Sequence, residues 1–547
     1  MERRKLFPSI ELTSHHRPYA VLFAVFLLVF ICNLDALRIV REDWHLMTIF
    51  RDFLKEGIPG FVKLLYFEKT RMMQASQTFL GSCALFFGLK NATPSFLLLM
   101  GFHGLSSVLV FRILKRLQFD EQAALAAALL CMLMPTATMD VFYINHAYFI
   151  LPLTILLGMI HIFLFPLKDR RLDIGVMTIC AVIGQLSGEQ TVPLYYLFFL
   201  AAVIVSWQKP EGRRQRLIRI VVPAVVSLLV VSFFFLTITW PSLQEIASSH
   251  ERRRSEWYVL WMYIETHAKA LSYKSVFYGS FSQPPSVRTI VGSILLLVIS
   301  GSAFFFKQNL KEKIKPIPKP WIWVGVVILV DLVCLIPILL AVNKGYRFGI
   351  EHKYLYVSGF CLAIGGVVLV DLLTRRSSLV RAIIFTLAVA YTGSLTHYIA
   401  QDIWGTQKVI DNKIWSMVHK HRRPGIKYIL FDGMMVEGFL QSNWSIAYSD
   451  FQIGKYTLDA QFKELWGRNP ELVRRYHGSR SSGKIIRLED YDGKIFYDAD
   501  PASVLSIVVR HGPAFGAIEG GFYAAFPDFK EYLRFLAWEK NRKKSDL

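Results

Sequence analysis

Cysteine is scarce, and none of it is spaced for chemistry. The six residues, Cys32, Cys83, Cys131, Cys180, Cys334 and Cys361, each sit in an apolar run, and none follows Cys361. That excludes a disulfide framework, and no Cys/His spacing fits a zinc site. Six small buried hydrophobes are expected instead. Charge is thin as well. Asp, Glu, Lys and Arg make up 19% of the 547 residues, where a soluble chain carries about a quarter. The excess of +21 is split among separate loops and gathers on no one domain, so nucleic acid is not a partner. No internal repeat is visible, which counts against a transporter built from duplicated halves.

Apolar mass is what the chain has in excess, 53% of it, and it falls in blocks. About 20 helical residues cross the roughly 30 Å of hydrocarbon in a bilayer. Runs of that kind lie near 18–34, 93–114, 121–137, 147–166, 172–187, 190–207, 217–240, 288–306, 320–342, 355–373 and 379–398. The expected fold is therefore a polytopic α-helical membrane protein of about eleven transmembrane helices. The run 76–89 is too short for a span and reads as a buried or interfacial segment. Charged sequence and no small-residue cleavage site follow the first span, so it reads as a retained helix.

Lys and Arg set the orientation. Clusters at Arg3–Lys5, Arg112–Arg116, Lys168–Arg171, Lys209–Arg219, Lys307–Lys319 and Arg375–Arg381 all fall on one side if the spans alternate. Short basic loops stay in the cytoplasm, which puts the N-terminus inside. After an odd number of spans the C-terminal region is outside, so a multi-pass inner (plasma) membrane protein is expected. The long segments 35–92, 241–287 and 399–547 then share the outer face, and chemistry is expected there. Loop 241–287 carries Glu251–Arg254 with Trp257 and Trp261, a composition suited to an interfacial lid or helix.

Near residue 400 the apolar blocks stop. The remainder, 399–547, reads as a soluble α/β or α+β domain that follows a membrane domain spanning 1–398. Lys427–Phe431 resembles a buried strand. Lys484–Leu488 and Lys494–Tyr497 flank Asp492-Gly493, a hairpin signal. Segments 458–467 and 527–541 have helical periodicity. No catalytic motif is evident in this domain.

Chemistry-bearing residues recur at outer span ends. Glu42-Asp43-Trp44 follows the first span, and Tyr66 and Arg71 close the first outer segment. Phe87-Gly88, Pro94 and His103 follow. Pro135 and Asp140 precede Tyr143 and His146. Leu186-Ser187-Gly188-Glu189 lies between the fifth and sixth spans, and His352-Lys353-Tyr354-Leu355-Tyr356 enters the tenth.

This ordered set resembles the GT-C glycosyltransferases that use polyprenyl-phosphate sugars, most of all the transmembrane O-mannosyltransferase branch and its bacterial relatives. The resemblance covers roughly the first 370 residues. Glu42 stands where that branch has Asp, Gly188 where it has Lys, and Lys353 where it has Arg. The spacing from Tyr66 to Arg71 differs, and no TPR repeats follow the last helix. The resemblance implies transfer of a sugar from a polyprenyl-phosphate donor to a glycan, lipid or protein hydroxyl at the outer face, with inversion. It implies Glu42 or Asp43 as the base, since a carboxylate there takes a proton from the acceptor. Lys353, Arg347 and Arg71 would hold the donor phosphate, where stabilising developing charge is a large catalytic term. Asp140, Glu189, His146 and Tyr354 would orient the acceptor. A divalent cation held with the help of Asp140 is left open.

Plainer readings stand beside these. An exposed acid pair is commonly just solvated. Lys353 and Arg347 suit snorkelling at a helix end, although on the outer side the retention rule does not explain them. Glu189 in its short turn fits a structural hydrogen bond, and His103 a satisfied packing histidine. Asp331, deep in the ninth span, is costly unless paired or functional. A flippase for a lipid-linked glycan and a non-catalytic assembly protein are the alternatives from other classes. The first forms no new glycosidic bond, and the second makes Glu42 and Asp43 dispensable.

Overall fold

A computed structural model describes residues 16–36, 42–65, 74–87, 93–135, 146–188, 191–208, 210, 212–241, 264, 285–305, 316–341, 355–374, 377–432, 462, 470–480, 484–490, 495–510 and 522–545. A helix stands at each of the eleven expected spans: α1 Arg17–Val29, α5 Thr93–Arg116, α6 Glu121–Leu133, α7 Ala147–Leu164, α8 Arg170–Gln185, α9 Val192–Trp207, α10 Arg213–Phe234, α11 Val287–Phe305, α12 Pro320–Ala341, α13 Tyr356–Leu373 and α14 Ser378–Tyr398. Among the described residues, seven of these regions are long and apolar enough to cross a membrane unaided, and α6, α9 and most of α12 are shorter apolar helices. The protein is thus a polytopic helical membrane protein.

Between α1 and α5 the first long connection folds into three short helices, α2 Glu42–Lys55, α3 Ile58–Leu65 and α4 Gln74–Phe87. The run expected as a buried or interfacial segment is α4. One side of it buries Leu80, Cys83 and Ala84, while Phe86 is open. Loop 241–287 lies almost wholly outside the described residues.

Helix α6 is the hub. Every residue from Gln122 to Leu133 is buried, and a helix apolar all round belongs in an interior. Its five alanines let neighbouring backbones close in. Asp120 caps its start by accepting from the Ala123 N–H at 3.0 Å, which satisfies an otherwise orphan donor. At the other end, carbonyls past the last helical turn lack partners. His103 of α5 and Thr396 of α14 take the carbonyls of Met132 and Leu133 at 2.9 and 2.7 Å.

One end of the bundle is basic and stitched by ions. Arg381 reaches Asp120 at 2.7 Å, Asp371 at 3.0 Å and Gln122 at 3.0 Å. Asp371 also accepts from the Ile317 N–H at 3.0 Å. Arg219 pairs with Asp173 and donates to the carbonyls of Ile162 and Phe163. Arg112 and Arg116 lie over the Phe165 ring at 5.6 and 5.2 Å. Asp331 is half-buried, midway along α12. The cysteines depart in some measure from expectation. Four are buried, but Cys180 is only half-buried and Cys32 is exposed, because their stretches of helix face outward from the bundle; all six are free.

At the other end α14 does not stop where its apolar run stops. A π-helical segment, Ile399–Trp404, carries it into α15 Gly405–Lys420. Extra residues in a helical turn are held by local contacts. Here Asp402 accepts from the Ser286 N–H at 3.0 Å, and Lys408 donates to the Asp35 carbonyl. Arg288 and Asp35 pair beside them at 2.9 Å. The C-terminal domain therefore sits at the same end as α2–α4.

That domain is a mixed six-stranded sheet in the order β4-β3-β2-β1-β5-β6. The strands are β1 Tyr428–Asp432, β2 Glu471–Arg480, β3 Ile485–Asp490, β4 Phe496–Ala499, β5 Val504–Arg510 and β6 Phe522–Phe526. β1 is parallel to β2 and β5, and the remaining pairs are antiparallel. Side chains alternate across a strand. Ile429 and Phe431 pack with Ile414 and Val418 of α15, and Leu430 packs with Phe529 and Tyr532 of the last helix, α16 Phe529–Ser545. The result is an α/β layering with β1 central. The expected strand at 427–431, the 484–497 hairpin and the helix at 527–541 are all present, while 458–467 lies almost entirely outside the described residues.

Arg510 at the end of β5 locks the α16 side. It grips Glu539 through two bonds of 2.7 and 3.0 Å and reaches Asp432 at 2.9 Å. Burial pulls its pKa down, and the carboxylates of Glu539 and Asp432 more than reverse that, leaving it raised. The Tyr532 hydroxyl donates to Asp432 at 3.0 Å. Burial and the Asp432 charge push that phenol well above its ordinary range.

Candidate functional site

Two clusters at the α2–α4 end join segments that are far apart in sequence. The first centres on His103. Its Nε2 faces the Met132 carbonyl, so that nitrogen carries the proton, and Nδ1 is left to accept from the Tyr356 hydroxyl at 2.9 Å. Carbonyls only accept, which fixes the tautomer. Phe30 and Phe360 meet the ring edge-on at 5.6 and 5.9 Å. His103 is fully enclosed with both nitrogens engaged. It acts as a packing histidine that ties α5, α6 and α13 together. Tyr356 begins α13, three residues after Lys353.

The second cluster forms around the turn between α8 and α9. The Ala75 N–H donates to the Leu186 carbonyl at 3.1 Å, and the Ser76 hydroxyl donates to the Ser187 carbonyl at 2.7 Å. The start of α4 thereby grips Leu186-Ser187-Gly188. Within the turn, the hydroxyls of Ser187 and Thr191 donate to the carbonyls of Ile183 and Gly188 at 2.6 and 3.2 Å. From the third side comes α7. Pro152 has no N–H, so it offers the Tyr148 carbonyl no helical donor, and the Gly188 backbone packs against that oxygen. A Cβ at Gly188 would overlap it. This explains why glycine, with no side chain, precedes Glu189 here. Gly188→Ala is expected to destabilise the protein by about 1–3 kcal/mol, the usual cost of forced overpacking, seen as a lowered melting temperature in nanodiscs. An unchanged melting temperature would mean the turn is not held against α7.

The clusters are neighbours through α5 and α7. Ser106 and Thr154 share a hydrogen bond of 2.8 Å, and Phe79 meets Phe102 at 6.0 Å. His146, the residue capping α7, lies edge-on to Tyr148 and Phe149 at 6.1 and 5.8 Å.

Of the expected site residues, Glu42 and Asp43 open α2, and His146 opens α7 beside the second cluster. Arg71, Asp140, Glu189, Arg347, Lys353 and Tyr354 lie outside the described residues. The chain around four of these six is described. Arg71 precedes Gln74 by three residues, Glu189 follows Gly188, and Tyr354 and Lys353 precede Tyr356. Among the described residues, no group of three or more His, Cys, Asp or Glu side chains is placed to hold a metal ion. Sequence reasoning passed over Gln74, Ser76 and Gln185. Their signal was polar side chains at buried positions of apolar helices, visible only once the helix faces are known.

No family model matches the chain, and no curated protein is similar to it. Among solved structures it is similar to ArnT from Cupriavidus metallidurans bound to undecaprenyl phosphate. Identity is 16% over 79% of this chain and 85% of that one, with a TM-score of 0.38. It is also similar to the oligosaccharyltransferase of Archaeoglobus fulgidus tethered to an acceptor peptide, at 13% identity over 81% of this chain and 65% of that one, with a TM-score of 0.36. Likeness at this level transfers no residue role and no substrate from either protein.

Proposed function

We propose that this protein is a membrane glycosyltransferase of the GT-C type, moving a sugar from a polyprenyl-phosphate donor to an acceptor hydroxyl in the cell envelope. The observation that supports this reading most is the meeting of motif neighbourhoods at one end of the bundle. Positions 74–76, 103, 132, 146–148, 186–188 and 356 are scattered through the chain, yet they gather between α4, α5, α7 and the starts of α9 and α13.

In this reading the C1–O bond to the donor phosphate breaks and a C1–O bond to the acceptor oxygen forms, with inversion. The acceptor proton passes to Glu42 or Asp43, and polyprenyl phosphate leaves. Lys353, Arg347 and Arg71 neutralise the phosphate as it gains charge. Asp140, Glu189, His146 and Tyr354 orient the acceptor. The N-terminus is cytoplasmic and the reacting end extracytoplasmic, because basic residues crowd the opposite end. Residues 1–398 form the catalytic domain and 399–547 the extracytoplasmic domain.

The test uses the full-length protein in nanodiscs with polyprenyl-phosphate glucose, mannose, galactose and aminoarabinose, each with labelled sugar, and an envelope extract as acceptor. Label is expected to move from one of these donors to an acceptor, with release of polyprenyl phosphate and an inverted anomeric centre. In proteoliposomes, translocation of the lipid without a new glycosidic bond would replace this reading with a flippase.

A further inference from the structure

The sheet of the C-terminal domain carries a cavity that no step of the proposed transfer uses. Its volume is about 370 Å³, and His477, Gly478, Ser479, Arg487 and Phe496 line it. Ligand pockets run from roughly 300 to 1,000 Å³, so there is room for a small molecule. An irregularity in the strands builds it. Tyr476 faces Leu488 and Gly478 faces Arg487 across β2 and β3, which leaves His477 as an extra residue. Such a β-bulge re-aims side chains and interrupts the ladder. Bulges also guard sheet edges, but β2 lies inside this sheet, between β1 and β3. Gly478 has φ +123°, which favours glycine, and a Cβ there would meet no described atom within 4 Å.

Among the described residues that line the cavity, two are basic and none is acidic. Arg487 lies over the Phe496 ring at 4.6 Å, and among the described residues it has no hydrogen-bond or ion-pair partner. Stacking of this kind holds the guanidinium plane and leaves its N–H edges for a ligand. His477 meets the same ring edge-on at 5.2 Å. Its Nε2 faces the Glu489 carboxylate at 2.6 Å, and that side chain is 8% exposed. A carboxylate only accepts, so Nε2 carries a proton and Nδ1 is the nitrogen left for a ligand. Asp498 stands opposite Arg487 across β3 and β4 but does not line the cavity. A fork of N–H donors selects an oxyanion and repels a metal ion or an ammonium group. The fork alone satisfies the two oxygens of a carboxylate, so the imidazole beside it suits a group with a third oxygen, a phosphate. The cavity is larger than a bare ion needs, and Phe496, 47% exposed, gives the rest of the ligand an apolar wall.

We infer that this bulge is a binding site for an organic phosphate, with Arg487 and His477 on the phosphate oxygens and Phe496 against the carbon skeleton. The inference is independent of the transferase reading. The phosphate is carried either by a soluble molecule or by a lipid head group.

The test is calorimetric titration of the full-length protein in a phosphate-free detergent. The probes are inorganic phosphate, glucose 1-phosphate, glucose and dispersed phosphatidylglycerol. The variants are Arg487→Gln and His477→Gln, the second of which keeps a donor for Glu489 and loses the other ring nitrogen. Glucose 1-phosphate or phosphatidylglycerol should bind the wild type more tightly than inorganic phosphate does. The first result names a soluble ligand and the second a lipid head group. Glucose should not bind. Arg487→Gln should weaken the tighter probe by about 10-fold or more, the scale of a lost hydrogen bond to a charged group, and His477→Gln should weaken it less. Binding that persists undiminished in Arg487→Gln lies elsewhere, as at the phosphate site proposed for the donor, and overturns the inference. So does glucose that binds as tightly as its phosphate. A wild type that takes inorganic phosphate but neither organic one has an adventitious ion site only, which overturns it too.

Discussion

Arg381→Met is expected to lower the stability of the membrane domain by about 3–5 kcal/mol, the scale seen when one partner of a buried ion pair is removed. The Arg381 side chain is 4% exposed, and the Asp371 side chain it faces is fully enclosed. Its guanidinium also closes on Asp120 and Gln122. Without it, among the described residues, two carboxylates remain with no cation between them, and Asp371 keeps only the Ile317 N–H. The damage reaches beyond one helix. Asp120 caps α6, Asp371 lies in α13, and Arg381 sits in the first turn of α14, so the loss loosens the hub at its basic end. The check is the melting temperature in nanodiscs. A second variant, Arg381→Met with Asp371→Leu, should recover most of the loss, because an apolar pair removes the stranded charge. If Arg381→Met melts with the wild type, the network contributes nothing to stability.

Arg381 also shows where sequence reasoning stops. It and Arg219 read as retention charges, because positive charge near a helix end is explained by topology alone. Their partners Asp120 and Asp173 lie 261 and 46 residues away in the chain, and no local pattern announces such pairs. The eleven helices were legible because hydrocarbon thickness imposes a run length that composition displays directly. The hairpin at 484–497 was legible because Asp-Gly suits a tight turn. The sheet order was not, since β1 pairs with strands that begin 43 and 76 residues after its own first residue. The boundary near 398 marks the end of apolar composition, but helix geometry tolerates polar residues and continues to Lys420.

The candidate site was only partly legible, for the same reason. The residues proposed to handle the lipid-linked donor stand out in the sequence against apolar surroundings. The residues that hold them do not stand out. Gly188 looked like a departure from a lysine-bearing pattern until the Tyr148 carbonyl was seen to occupy the space. Gln74 and Gln185 gave no signal before the helix faces were known. His103 was named in both a functional and a plain reading, and its two hydrogen bonds favour the plain one.

Glu42→Gln combined with Asp43→Asn is expected to abolish sugar transfer, lowering kcat by roughly 10²–10⁴-fold, the usual contribution of a general base. Both substitutions remove the proton-accepting oxygen while keeping size and hydrogen-bonding shape. The single variants separate the two residues: the base shows nearly the whole loss, and its neighbour shows little. Stability should hardly move. Glu42 and Asp43 are the first two residues of α2, and a negative charge at a helix N-terminus contributes only about 0.3–1 kcal/mol. A large loss of rate with an almost unchanged melting temperature is therefore the signature of catalysis. Donor affinity should also stay near the wild-type value, because the proposed mechanism gives the phosphate to Lys353, Arg347 and Arg71 and not to these acids. A double variant that transfers sugar at the wild-type rate would remove both acids from the mechanism. Equal falls in rate and melting temperature would mean that they cap α2 and do no chemistry.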